Sequence, residues 1–338
     1  MPLPLPRARG GEGRGEGVPM AHTAVFMMNL GGPRSLEEVE PYLYELFSDP
    51  LLISAPFGPF RPLVAKIISR TRAPSSSEKY ALIGGKSPIV EGTLAQARAL
   101  EQVLGPGYTC HLAMRCGHPN TAEGVREALA AGADRAVALP LYPQYANATT
   151  RSSLLELRRL WPKDRPLVEI CTWHDNDAYL DASAAALRET LARVPAELRE
   201  RVLVLFSAHG LPMSQVRKGD PYPTYIEHSA RETARRAAVP AFQVTYQSRV
   251  GPTKWLGPDT VEFLEANARG RAIVAVPIAF VSEHLETLYD LDILAKDAAG
   301  KGGAALYLRV PALGTRPDFV AALADVVRRG IAAQPAAA

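Results

Sequence analysis

RVLVLFSAHGLP, residues 201–212, decides how the rest of the chain is read. An apolar, β-favouring run (201–206) stops at a small polar step and then presents His209 beside Gly210. In parallel α/β proteins the carboxyl ends of strands are where ligands sit. An imidazole there can exchange a proton near neutral pH or hold a divalent metal. Taken alone, His209 reads more readily as a satisfied histidine in a turn. A second polar cluster behind a strand, Ser282-Glu283-His284-Leu285-Glu286, reverses that weighting.

Outward from this stretch, short apolar runs alternate with longer amphipathic segments. The first half carries strand patterns at 24–30, 108–114, 135–141 and 167–172, the second at 201–206, 241–246, 272–278 and 305–310. Helical patterns occupy 92–103, 121–131, 177–193, 224–238 and 319–329. Such alternation predicts an α/β protein built on parallel sheets. Four strands per half predict two doubly wound domains facing each other across a cleft, over residues 21–155 and 156–314. The first crossing is expected at 154–161, with the last helix (315–333) packing back on the first domain. The halves also rhyme: AVFMMNLGGP resembles VLVLFSAHGLP, and RAVALPLYPQYA resembles AIVAVPIAFVSEH.

Composition narrows the class. Of 338 residues 22% are charged and the net charge is +3, so no basic face argues for nucleic acid. Cys110, Cys116 and Cys171 have no CxxC spacing, which supports neither a structural zinc site nor a cysteine-ligated iron–sulfur cluster. An odd cysteine count without a secretory signal fits a reducing cytosol. The first 20 residues are rich in Gly, Arg and Glu and are expected to be a disordered tail, with Met20 an alternative start. No stretch approaches the ~18 apolar residues of a membrane-spanning helix. The segment 51–64, LLISAPFGPFRPLV, is greasy for a loop and reads as a binding mouth, a membrane contact or a buried connector.

Several strand ends carry chemistry. NLGGP and YALIGGKSP are glycine turns where backbone can approach a ligand, with Tyr80, Lys86 and Ser87 as contacts. YPQYANATT ends the third strand in aromatics and small hydroxyls, a mixture that suits a flat conjugated ligand. Arg249 and Trp255 follow the sixth strand as an anion-plus-ring pair. In SEHLETLYDLD, Ser282 is expected to cap a helix on which Glu283, Glu286 and Asp290 share one face. His209 opposite Glu286 would suit Fe²⁺, Zn²⁺ or Co²⁺ held by two or three ligands, or serve as base and proton relay. No HExxH is present for a hydrolytic metal centre.

These motifs resemble the ferrochelatases. LFSAHGLPMSQVRKGDPYPTY looks like the family signature, and NLGGP, YALIGGKSP, LYPQYANATTRSSL, QSRVGPTKWLGP and VPIAFVSEHLETLYDLD follow in the family's order. The resemblance implies a chelatase-like fold of two Rossmann-like domains, each with a four-stranded parallel sheet, and a tetrapyrrole in the cleft. It implies insertion of Fe²⁺ into protoporphyrin IX, the last step of haem b synthesis. Iron is then a substrate, with no tightly bound cofactor and no iron–sulfur cluster, since the tail GIAAQPAAA lacks the cysteine-rich extension of some members. A monomer is expected, in the cytoplasm, with peripheral membrane contact through 51–64 and transient contact with the upstream oxidase.

By the same resemblance His209 and Glu286 are the catalytic and metal-meeting residues. Glu283, His284 and Asp290 form a proton or metal path, and Tyr80, Ser87, Arg72, Arg115, Tyr142 and Trp255 line the porphyrin pocket. The chain departs from many members at Arg115-Cys116-Gly117-His118-Pro119, which offers Cys116 either to the pocket or to the core. The competing readings are a coproporphyrin III or other tetrapyrrole chelatase, and a non-catalytic tetrapyrrole or metal carrier.

Overall fold

The computed structural model describes residues 22–53, 58–249 and 253–333; the tail expected over 1–20 lies outside the described residues. Among the described residues eight strands form two sheets. The first contains β1 (Thr23–Asn29), β2 (Tyr108–Met114), β3 (Arg135–Pro140) and β4 (Leu167–Glu169), in the order β2-β1-β3-β4. The second contains β5 (Val202–His209), β6 (Phe242–Gln247), β7 (Ala272–Pro277) and β8 (Leu306–Arg309), in the order β6-β5-β7-β8. Every pairing is parallel. The second sheet therefore repeats the order of the first. The rhyming segments fall on matching strands, β1 with β5 and β3 with β7.

Helices cover both faces of each sheet, which is why β1 and β7 are apolar on both sides and buried at every residue. In the first half these are α1 (Val39–Ser48), α2 (Arg61–Leu82), α3 (Ile89–Leu104), α4 (Thr121–Ala130) and α5 (Ser152–Leu160). The second half follows with α6 (Asp177–Leu191), α7 (Met213–Arg217), α8 (Tyr222–Arg236), α9 (Thr260–Asn267), α10 (Leu285–Leu288), α11 (Lys296–Lys301) and α12 (Pro317–Ala332). Gly124 lets α4 lie against β2, since a Cβ there would stand 2.2 Å from the Leu112 carbonyl oxygen.

Two expectations change. β4 pairs with β3, and Leu154, Leu157 and Trp161 pack under the first sheet with Phe26, so the first domain runs past residue 155 to Glu169. The crossing to the second half comes after β4. There α6 leaves its own sheet to pack on α8 and β7, while α12 returns to pack on α3, β3 and β4. This exchange of last helices merges the two cores into one apolar cluster running from Val25 to Val327. Segment 51–64 is also not all loop. Its described end enters α2 at Arg61, and Pro74 sits inside that helix; residues 54–57 lie outside the described residues.

Buried amides stitch the halves together. Gln96 on α3 donates to the carbonyls of Val281 and Gly314, both at 3.0 Å, and accepts from Ser282 Oγ at 2.9 Å. Gln144, just past β3, donates to Ser229 Oγ at 3.0 Å and to the Ile278 carbonyl at 3.3 Å. Both tie the first half to the loop that leaves β7. That loop leads into α10, which carries Glu286.

Candidate active site

His209 is the last residue of β5, Ser248 follows β6 directly, and Glu286 lies in α10, which the loop leaving β7 leads into. The order β6-β5-β7 makes these the carboxyl ends of three adjacent strands, which stand about 4.8 Å apart. Register does the rest. His209 pairs beside Gln247, whose buried side chain donates to the Glu286 backbone carbonyl at 2.8 Å and accepts from Ser207 Oγ at 2.7 Å. Gly210 N–H donates to the Gln247 carbonyl at 2.8 Å. A Cβ on Gly210 would sit 3.0 Å from that same oxygen and 3.2 Å from the Trp255 ring, so glycine keeps the turn closed.

His209 Nδ1 and Glu286 Oε2 are 2.7 Å apart. A carboxylate only accepts, so Nδ1 carries the hydrogen and Nε2 is left with its lone pair for a substrate. The side chains are 40% and 23% exposed, so the pair stands on an open wall although protein surrounds it at longer range. Burial pulls the imidazole down, but the charge and hydrogen bond of Glu286, with Asp290 beyond, raise it above its ordinary 6.5. Burial pushes Glu286 up, and His209, His284 and Ser248 outweigh it, bringing the carboxyl to about 2. Both directions have one cause: the Glu286 carboxylate stabilises the imidazolium that forms when Nε2 takes a proton.

Asp290 is linked through Ser248, which adopts a positive φ of 64° and donates its hydroxyl to Asp290 Oδ2, with Glu286 Oε2 at 3.5 Å. A non-glycine residue held in this region is a strain that surrounding structure must maintain. Burial, then the nearby Glu286 charge, lifts the Asp290 carboxyl to about 6. Asp290 opens a π-helical segment, Asp290–Ala295, that continues α10.

The expected helical row of acids does not form. The helix starts at Leu285 behind an extended His284 (φ −162°), so Glu283 lies outside it and points to Arg309. Ser282 does not cap this helix; it donates to Gln96. His284 is depressed by burial, its Nδ1 has no hydrogen-bond partner among the described residues, and its ring meets Phe280 edge-on at 4.5 Å.

The pocket candidates divide. Trp255 faces His209 edge-on at 6.4 Å, and the buried Tyr80 phenol is raised by burial and by the Glu286 and Asp290 charges. Leu285 packs with Tyr80, Tyr42 and Cys116, which brings the first half against α10. Tyr142 is half-buried, and its Oη has no partner among the described residues. Ser87 is buried just before α3, and its hydroxyl accepts from Ile89 N–H at 3.4 Å. Arg72 lies over the Phe47 ring at 6.0 Å. Arg115 is committed elsewhere: it pairs with buried Asp49 at 2.5 Å and donates to Ser152 Oγ at 2.7 Å. Cys116 is fully buried and burial pushes its thiol up to about 12, so it belongs to the core. Sequence reasoning missed Gln247, Ser248 and Arg309; the QSR motif after β6 was the only signal for the first two.

Two partly open pockets lie away from this wall, one of about 20 Å³ beside Tyr179 and Phe280, another of about 240 Å³ beside Glu189 and Arg316. Among the described residues no group of three or more His, Cys, Asp or Glu converges on a metal position. None of the described helices is long and apolar enough to cross a membrane.

Twin parallel sheets with an imidazole–carboxylate pair at their strand ends give the chain a chelatase-like α/β architecture. The family model described as Ferrochelatase matches residues 22–331. A ferrochelatase of Geobacter metallireducens is 42% identical over 312 residues, covering 91% of this chain and 98% of its own. One from Synechococcus sp. (strain JA-3-3Ab) is 43% identical over 321 residues, covering 91% and 94%. The chain belongs to the ferrochelatase family, enzymes that insert a metal ion into a porphyrin. A solved structure described as SirB from Bacillus subtilis with Fe³⁺ shares the fold, with a TM-score of 0.52 at 11% identity, covering 91% of this chain and 95% of that one.

Proposed function

We propose that the enzyme inserts Fe²⁺ into protoporphyrin IX to give protohaem and two protons. The observation that carries this reading is the His209–Glu286 pair with Asp290 linked behind it through Ser248. Insertion breaks two pyrrole N–H bonds, so the site must accept two protons. Nε2 of His209 takes one, and the Glu286 carboxylate stays ionised to balance the imidazolium. Asp290, with a carboxyl near 6, is matched to receive or pass the second through the Ser248 hydroxyl near neutral pH. Trp255 supplies ring surface beside the pair for a flat macrocycle.

Protoporphyrin is preferred over coproporphyrin on the resemblance of the YPQYANATTRSSL block to protoporphyrin-type members. In this reading the enzyme works in the cytoplasm and touches the membrane face through segment 51–64, which runs into the start of α2. Exposed Phe60, Leu63 and Ile67 form an apolar ridge at helical spacing there. Titrating both porphyrins with Fe²⁺ under identical conditions tests the substrate. Protoporphyrin IX is expected to have the higher kcat/KM, and faster turnover of coproporphyrin III would overturn the choice.

A further inference from the structure

Behind the reacting pair, Arg309 holds a charge cluster that the proton chemistry does not use. It ends β8, and its side chain is 11% exposed. Nε and Nη2 donate to the two oxygens of Asp292 at 2.7 and 2.8 Å, while Nη1 donates to Glu283 Oε1 at 2.9 Å. Ala312 N–H donates to that same Glu283 oxygen at 3.0 Å. Tyr307, two residues earlier and so on the same face of β8, donates to the Leu291 carbonyl at 2.8 Å. Glu283 precedes α10, and Leu291 and Asp292 belong to the π-helical segment after it. One edge strand thus grips both ends of the unit that carries Glu286 and Asp290.

That unit cannot place itself. Four residues of α-helix are far too short to be stable alone, and π-helical turns persist only where context holds them. A reacting group must nevertheless be fixed to within about 0.5 Å. The planar fork of arginine, with donors in set directions, holds two carboxylates in a fixed geometry; an ammonium on a flexible stem offers three donors but no set directions.

We propose that Arg309 is a positioning residue for metallation, which by clamping Asp292 and Glu283 sets where Glu286 and Asp290 stand relative to His209. This rests on the reading of those three residues as the reacting set. The test uses the full chain with Fe²⁺ and protoporphyrin IX and compares three variants. Arg309→Lys keeps the charge and loses the fork. The triple variant Arg309→Met/Glu283→Gln/Asp292→Asn removes the whole cluster, so no buried charge is left unpaired. Glu283→Gln alone controls for any part Glu283 plays itself.

The triple variant is expected to bind porphyrin with an unchanged Soret shift and KM while kcat falls at least about tenfold. Arg309→Lys should fall between it and wild type, and so should Glu283→Gln, which removes one arm of the clamp. A folded triple or Lys variant with wild-type kcat overturns the proposal, as does a Glu283→Gln variant that alone shows the full loss. Glu286→Gln is run alongside: wild-type metallation there would remove the underlying reading of the pair instead.

Discussion

Asp290→Asn should make the protein more stable and the enzyme slower. The Asp290 carboxyl rises from an ordinary 3.8 to about 6 because it is largely withdrawn from water and faces Glu286. The folded state thus binds its proton more tightly than the unfolded chain does. Below about pH 4 the group is protonated in both states and costs nothing. Between about 4 and 6 the cost grows, and above 6 it is fully present. A shift of about two pH units corresponds to about 3 kcal/mol. Residual solvent at the open wall discounts that to about 1–2 kcal/mol. Asparagine keeps an oxygen for the Ser248 hydroxyl, so the packing is conserved. Thermal unfolding should therefore show a Tm higher by a few degrees at pH 8 and equal to wild type at pH 4. Metallation at pH 8 should drop at least about tenfold with porphyrin binding intact, because the second proton loses its acceptor. A variant no more stable than wild type at pH 8, or one whose gain persists at pH 4, refutes the reasoning.

Other consequences follow from the same geometry. Arg115→Met strands the Asp49 carboxylate, whose side chain is 1% exposed, and should cost about 3 kcal/mol, read as a Tm loss of several degrees. Titration of the His209 imidazole by NMR should give a midpoint above 6.5, and Glu286→Gln should move it down, because burial then acts without the opposing charge. Replacing Phe60 and Leu63 together by Asp should abolish co-sedimentation with anionic lipid vesicles while leaving metallation of detergent-solubilised porphyrin unchanged.

The strands were legible because parallel sheets covered on both faces write near-continuous apolar runs, as AVFMMN and AIVAVP do. The helix α2 was not, since Pro74 and the run Ser75-Ser76-Ser77 break the pattern that tertiary packing nonetheless maintains. His209 and Glu286 were legible through motif and resemblance, whereas their geometry came from register, which pairs His209 with Gln247 across sequence. The acidic row failed for a local reason: periodicity assumes a helix through Glu283, yet the chain is still extended at His284. Arg309 was invisible because its partners lie 17 and 26 residues away, beyond any local pattern.

The central claim is that the His209 imidazole, held by Glu286, takes part in exchanging pyrrole protons for iron. The direct measurement is His209→Ala, assayed for porphyrin binding by the Soret shift and for Fe²⁺ insertion in the same samples. Binding within about twofold of wild type with metallation reduced at least about a hundredfold is the predicted result. Wild-type metallation by a porphyrin-binding His209→Ala protein would contradict it.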